Sequence, residues 1–238
     1  MRAASPTRTN LTWVMPAEGG NDVPSSPDTV VVVAGGAPVD PALRAHLDDV
    51  DYVIAADSGL HAAERLGLPT DVLVGDLDSV DESALGDAAF EIDRHPRAKD
   101  RTDIVLALDR ARDLRPSRVI VISGGGGRLD HGLANLLVLA SDDYAGMQVD
   151  AFVGDARVAV IRDRRDLAGP AGGLVSLFAV NGPAHGVTTT GLRYPLHGEV
   201  LAPLSSRGVS NEFVGGPAAV SLTSGVLLSI QPGEETPT

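Results

Sequence analysis

Four times between Val30 and Arg128 the chain repeats one pattern, a short unbroken apolar run that ends in glycine, aspartate or serine. VVVVAGG starts at Val30, and YVIA at Tyr52 leads through Ala56 into Asp57-Ser58-Gly59. Val72–Val74 leads into GDLDS, and RVIVI from Arg118 leads into SGGGG. Runs with no polar alternation suit strands covered on both faces, which is the condition of a parallel sheet. The carboxyl ends of parallel strands share one edge, so these polar loops are expected together there. Helical spacing fills the gaps: Ile104, Ala107, Leu108 and Ala111 fall at i, i+3, i+4 and i+7, and Leu129, Leu133, Leu136, Leu137 and Ala140 continue over three turns. Strand–helix alternation with right-handed crossovers predicts an α/β fold. Its first part is an open, mostly parallel, Rossmann-like sheet with helices on both faces. Met147–Val153 and Val158–Ile161 read as two further strands of that half.

Three segments follow from the same reading. Residues 1–28, with PAEGGNDVPSSPD at their end, lack apolar periodicity and read as a flexible tail. Residues 29–165 form the α/β unit, and Asp163–Pro170, charged and then Gly/Pro-bearing, reads as a linker. From residue 170 to 232 the runs GLVSLFAV, GVTTTGLRYPL, GVSNEFV, AAVSLTS and GVLLSIQP are short, Val/Thr/Ser-rich and separated by Gly and Pro. Strands at that spacing predict an all-β sandwich.

Composition narrows the classes of function. With 19 Lys+Arg against 32 Asp+Glu the formal charge is −13, which disfavours nucleic acid and anionic membrane as partners. The absence of cysteine removes disulfide scaffolds, thiolate metal sites and a cysteine nucleophile. No apolar run approaches the ~18–20 residues that span a bilayer, and Leu11–Met15 is too short for a signal core, so a soluble, cytoplasmic protein is expected.

The chemistry-bearing residues concentrate at the expected strand ends. Asp57, Asp76, Asp78, Asp100 and Asp103 would converge on one crevice, and carboxylates brought together without His or Cys suit Mg²⁺. Taken singly, each is equally well an N-cap. Ser123-Gly124-Gly125-Gly126-Gly127-Arg128 runs from a strand into a helix; its amides, the helix dipole and the Arg128 fork suit phosphate, although it is no Walker A loop and a glycine turn is often only a connection. Lys99, the one lysine of the chain, stands beside the acidic cluster as a phosphate or substrate contact. His131 begins the next helix as a phosphate donor or a local hydrogen-bonding group, and Phe213, beside Ser210 and Asn211, reads as sandwich core.

Taken together, ADSGLHAAERLGLPTDVLVGDLDSV, KDRTDIVLALDRA, GGGGRLDHGLANLLVL, GVTTTGLRYPL and GVSNEF resemble the thiamine pyrophosphokinases over about Val30 to Ile230. The resemblance implies an α/β nucleotide domain and a β-sandwich, transfer of the pyrophosphoryl group of ATP to the thiamine hydroxyl to give thiamine diphosphate and AMP, and a homodimer with active sites at the interface. It implies catalytic roles for Asp76, Asp78, Asp103 and Lys99, with Asp76, Asp78 and Asp103 holding Mg²⁺. Nucleotide contacts fall to Asp57, Ser58, Gly59, Asp100, Thr102, Ser123, Gly124, Arg128, Leu129, Asp130 and His131. Ser210, Asn211 and Phe213 become thiamine contacts, Phe213 as a stacking ring. Asp57-Ser58-Gly59 stands where the family carries DGG. The competing readings are a pyrophosphokinase for another hydroxymethyl heterocycle, of pterin type, and a non-catalytic nucleotide-binding sensor.

Overall fold

The computed structural model describes residues 26–78, 89–96 and 100–233. All but the last three residues of the expected tail, and Lys99, lie outside them. The first half is a parallel sheet of β1 (Thr29–Ala34), β2 (Tyr52–Ala56), β3 (Val72–Gly75), β4 (Glu91–Arg94), β5 (Arg118–Ser123) and β6 (Gln148–Val153), in the order β4-β3-β2-β1-β5-β6. Every neighbouring pair in that order is parallel. Between the strands run α1 (Gly59–Arg65), α2 (Asp103–Leu114) and α3 (Leu129–Val138).

The unbroken apolar runs have the cause inferred for them. Val30 and Val32 pack with Ile104, Ala107 and Leu108 of α2, while Val31 and Val33 face the other way, onto Ala63 of α1 and Leu66 just after it. A strand covered on both faces has no position left for a polar side chain. β4, whose sequence is EIDR, was not expected; it is an edge strand and mostly exposed, so it carries no apolar signature.

Parallel pairing ends at β6. A hairpin through Gly154-Asp155 turns the chain into β7 (Ala156–Ile161), and so short a connection joins only antiparallel strands. Beyond β7 the same sheet continues, antiparallel throughout, into β13 (Ser224–Gln231) and β9 (Leu174–Thr190). The mostly parallel sheet expected from the sequence is therefore confined to its first six strands. The segment read as a linker holds β8 (Arg164–Leu167), which pairs with β12 (Ala218–Ser221). β9 fuses two of the expected runs: it pairs with β13 up to Val180, bulges at Asn181–Pro183, and then pairs with β10 (His197–Leu201), with β12 and, at His185, again with β13. β11 (Asn211–Glu212) lies on its first half. This β-rich part has its own core, in which Val175, Leu177, Val187, Leu201, Phe213, Val220 and Leu227 meet.

α3 departs from an ordinary amphipathic helix. It has no buried residue, and Leu129, Leu133 and Leu137, one face at i, i+4, i+8, are exposed, Leu129 by 86%. Leu136 and Val138 lean on the core, with Leu139 and Ala140 buried just past the helix end. Among the described residues no helix is long and apolar enough to cross a membrane.

Candidate active site

The strand order places a crevice before any side chain is considered. From β1 the chain steps outward through β2, β3 and β4, and α2 then carries it back to β5 on the other side of β1. The loops after β1 and β5 therefore depart in opposite directions, the point where ligands bind in open α/β sheets. Here the two glycine loops meet. Ser123 Oγ donates to the Gly35 carbonyl (3.2 Å), and Ala37 N–H donates to that of Gly125 (3.0 Å). A Cβ on Gly124 would overlap the Ala37 carbonyl, so the contact requires glycine at that position. The crevice is a cavity of about 600 Å³. Gly35, Gly36 and Gly125–Arg128 form one rim, and Ile104, Val121, Leu136 and Leu139 are part of an apolar wall. An apolar pocket beside a glycine-rich helix start suits a planar base with phosphates attached. Leu129, His131 and Leu133 line it from the exposed side.

The carboxylates gather at the neighbouring strand ends. Asp57, following β2, sits in the left-handed region (φ 48°), and its N–H donates to Val74 O (2.9 Å), tying it to β3. Gly75 closes β3 at φ 152°, and a Cβ there would lie 3.2 Å from Asp57 Cβ and 3.4 Å from Asp103 Oδ1. Glycine thus lets Asp57 and Asp103 approach the same point from two loops. One carboxylate oxygen from each of Asp57, Asp76 and Asp78 lies within 4.8 Å of the others. Among the described residues Asp57 Oδ1 is buried without a hydrogen-bond partner. A buried carboxylate oxygen left unsatisfied is costly, and a hard divalent cation among three carboxylates would satisfy it. The trio that meets this geometry is Asp57, Asp76 and Asp78, whereas the sequence reading put Asp103 in place of Asp57. Asp103, in the first turn of α2, borders the group at Gly75.

Other candidates occupy a variety of positions. Ser58 and Gly59 are packed on the end of β1: a Cβ on Gly35 would overlap Ser58 Oγ, and one on Gly59 would overlap the Val33 carbonyl. Asp100 and Thr102 are exposed, and Thr102 caps α2 through its backbone carbonyl without a side-chain bond. Arg128 and Asp130 bind each other, Nε to Oδ1 at 3.1 Å and Nη2 to Oδ2 at 2.6 Å. That guanidinium, helped by the His131 backbone amide, holds the Asp130 carboxyl down to about 2.

In the β-rich half the three residues that the resemblance makes thiamine contacts occupy different positions, and for Phe213 the stacking role is corrected to the core role read from the residues. Phe213 is 2% exposed, bridges to Leu192 and packs its ring against Gly169; it is core, with no face for stacking. Asn211 is buried, and its amide is spent on backbone: Oδ1 accepts from Tyr194 N–H (3.0 Å) and Glu212 N–H (2.9 Å), and Nδ2 donates to Tyr194 O (2.8 Å). Its role is to clip the loop carrying Tyr194 onto β11. Ser210, exposed and at φ 56°, lines a cavity of about 260 Å³ together with Asn211, Tyr194, Leu196, Arg207 and Val209. Tyr194 is 58% exposed beneath the Arg193 guanidinium (5.6 Å to the ring centroid). Within the GLRYPL run this ring carries one sequence signal, that it is one of only three tyrosines in the chain.

Two family descriptions match this chain, the catalytic domain of thiamin pyrophosphokinase over residues 43–151 and the vitamin B1 binding domain of thiamin pyrophosphokinase over residues 160–227. The chain belongs to the thiamin pyrophosphokinase family. The first match ends inside β6 and the second begins inside β7, so the division falls at the hairpin where the sheet changes from parallel to antiparallel. A thiamine pyrophosphokinase of Bacillus subtilis is 27% identical over 221 residues, covering 85% of this chain and 98% of the relative. A solved thiamin pyrophosphokinase family protein of Enterococcus faecalis is 26% identical with a TM-score of 0.72, covering 87% of this chain and all of that one. The solved thiamine pyrophosphokinase of Bacillus subtilis superposes with a TM-score of 0.75 at 24% identity, over 87% of this chain and 99% of the other, a likeness of fold. The aspartate group and the Gly125–Arg128 side of the crevice belong to the part matched by the catalytic-domain description, Gly35 and Gly36 precede it, and the Tyr194 cavity belongs to the part matched by the vitamin B1 binding domain.

Proposed function

We propose that the crevice between β1 and β5, the aspartate group beside it and the Tyr194 cavity divide the work of one reaction. The chain is a thiamine diphosphokinase, transferring a pyrophosphoryl group from ATP to the hydroxyl of thiamine and releasing AMP. The observation that carries the assignment of the site is the convergence of Asp57, Asp76 and Asp78, with an orphaned oxygen on Asp57, next to a glycine-rimmed cavity.

The thiamine hydroxyl oxygen attacks the β-phosphorus. An O–P bond forms, the bond from the β-phosphorus to the bridging oxygen of AMP breaks, and the hydroxyl proton passes to a carboxylate, Asp78 or Asp103. Little covalent chemistry falls to the protein, so catalysis rests on positioning and charge compensation. Asp57, Asp76 and Asp78, with Asp103 at their border, would hold Mg²⁺, which supplies charge neutralisation on the phosphate oxygens. The glycine amides and the α3 N-terminus hold the phosphate chain, and the apolar wall takes the base. Arg128 exchanges Asp130 for a phosphate oxygen, and Lys99 offsets further charge. Thiamine occupies the Tyr194 and Ser210 side of the β-rich half. The exposed leucines of α3 and the exposed Tyr194 support a homodimer in which a second copy closes the site, and the lack of a membrane-spanning helix among the described residues fits a cytoplasmic enzyme.

ATP labelled in its β-phosphate, incubated with thiamine and Mg²⁺, tests the reading. Label in thiamine diphosphate with equimolar AMP is expected; thiamine monophosphate with ADP places the attack on the wrong phosphorus and overturns it.

A further inference from the structure

The most unusual backbone in the acidic group is not at an aspartate. Leu77, between Asp76 and Asp78, has φ 64°, in the left-handed region where a branched apolar residue is rare and strained. Its side chain nevertheless is only 4% exposed, seated among Ala55, Leu60 and Leu73 with Phe90 against them. The turn it imposes folds the chain back so that Asp78 N–H donates to Asp76 Oδ1 (3.2 Å). Here the carboxylate oxygens of the two lie within 4.8 Å.

A glycine would adopt this backbone without steric penalty, and an exposed leucine would leave it. The buried side chain therefore holds the turn, and the turn sets the spacing of the two carboxylates. On the reading that Asp57, Asp76 and Asp78 hold a divalent cation, we infer that Leu77 is a positioning residue: its burial between β2, β3 and α1 sets the affinity of the cation site. It touches neither the cation nor the substrates and acts through the aspartates on either side.

Three variants separate anchoring from backbone preference. Leu77→Ala removes the anchor and keeps the strained backbone, Leu77→Gly removes both anchor and strain, and Leu77→Met keeps the volume. Binding of Mn²⁺ to the full, nucleotide-free chain is followed by electron paramagnetic resonance, with near-UV circular dichroism to establish that each variant is folded. Leu77→Ala and Leu77→Gly should both lose about 10–100-fold in Mn²⁺ affinity, the range found when groups supporting metal ligands are removed, while Leu77→Met stays within about threefold of wild type. In turnover, the Mg²⁺ concentration for half-activation should rise while kcat at saturating Mg²⁺ and KM for thiamine hold. Unchanged Mn²⁺ affinity in folded Leu77→Ala, recovery of affinity in Leu77→Gly, or loss of kcat with the Mg²⁺ dependence unaltered would overturn the inference. Wild-type protein that binds no Mn²⁺ would instead overturn the cation-site reading on which it rests.

Discussion

Replacing Asp57 with asparagine should stabilise the metal-free protein and disable the metal-bound one. Three carboxylates with oxygens within 4.8 Å of one another repel when no cation is present. Coulomb's law at an effective dielectric of about 20 gives roughly 3–4 kcal/mol for each pair at that separation. Asp78 is exposed and its share is screened, so removing the charge of Asp57 should relieve about 1–3 kcal/mol in protein dialysed against chelator. For a chain of this size that is a rise in Tm of about 2–12 °C. With Mg²⁺ the order inverts: at about 100 times its Kd a ligand adds roughly 2.7 kcal/mol to a protein that binds it, and the variant, lacking one ligand, gains little. Differential scanning calorimetry with chelator and then with Mg²⁺ reads both halves. An Asp57→Asn protein less stable than wild type without metal, or one stabilised equally by Mg²⁺, would refute the reasoning.

Other perturbations have equally definite outcomes. Asp150, buried where β6 meets β8, takes Arg118 (2.9 Å) and Arg165; Asp150→Ala leaves both guanidinia without it and should cost about 2–4 kcal/mol in urea denaturation, less than a wholly buried pair because Arg118 is partly exposed. Because the Arg128 hydrogen bond holds the Asp130 carboxyl near 2, its carbon-13 titration should have its midpoint there and move back toward 3.8 in Arg128→Ala. A depressed carboxyl favours the folded chain above the unfolded value of 3.8, and that contribution is lost as pH falls from 3.8 through about 2. Asn211→Ala strands three backbone groups and should cost about 1–3 kcal/mol, with KM for thiamine rising through the loosened Tyr194 loop while KM for ATP holds.

The parts of the fold legible from sequence were those where one physical demand dominates. Val30–Val33 must be apolar at every position because α1 and α2 cover opposite faces, and that demand is visible without structure. β4, β8 and β10 are short and largely polar, held by backbone pairing at exposed positions, so composition gave no sign of them. Gly182-Pro183 reads as a break, yet backbone pairing resumes after the bulge and β9 runs on. The acidic residues could be named as a group, but which three meet depends on Gly75 and on the turn at Leu77, neither of which sequence spacing measures. Phe213 reads as core from its own residues and as a stacking ring from the resemblance, and its burial decides for core, because an aromatic side chain serves equally to bind a substrate and to fill a core.

A divalent cation lying among the carboxylates at the ends of β2 and β3 is located directly by anomalous scattering from a crystal grown with Mn²⁺ and a non-hydrolysable ATP analogue. A peak within about 2.0–2.4 Å of oxygens from Asp57, Asp76 and Asp78, with the phosphates turned toward Gly125–Arg128, is the predicted result. A peak held elsewhere, with Asp57 Oδ1 still unpartnered, would contradict it.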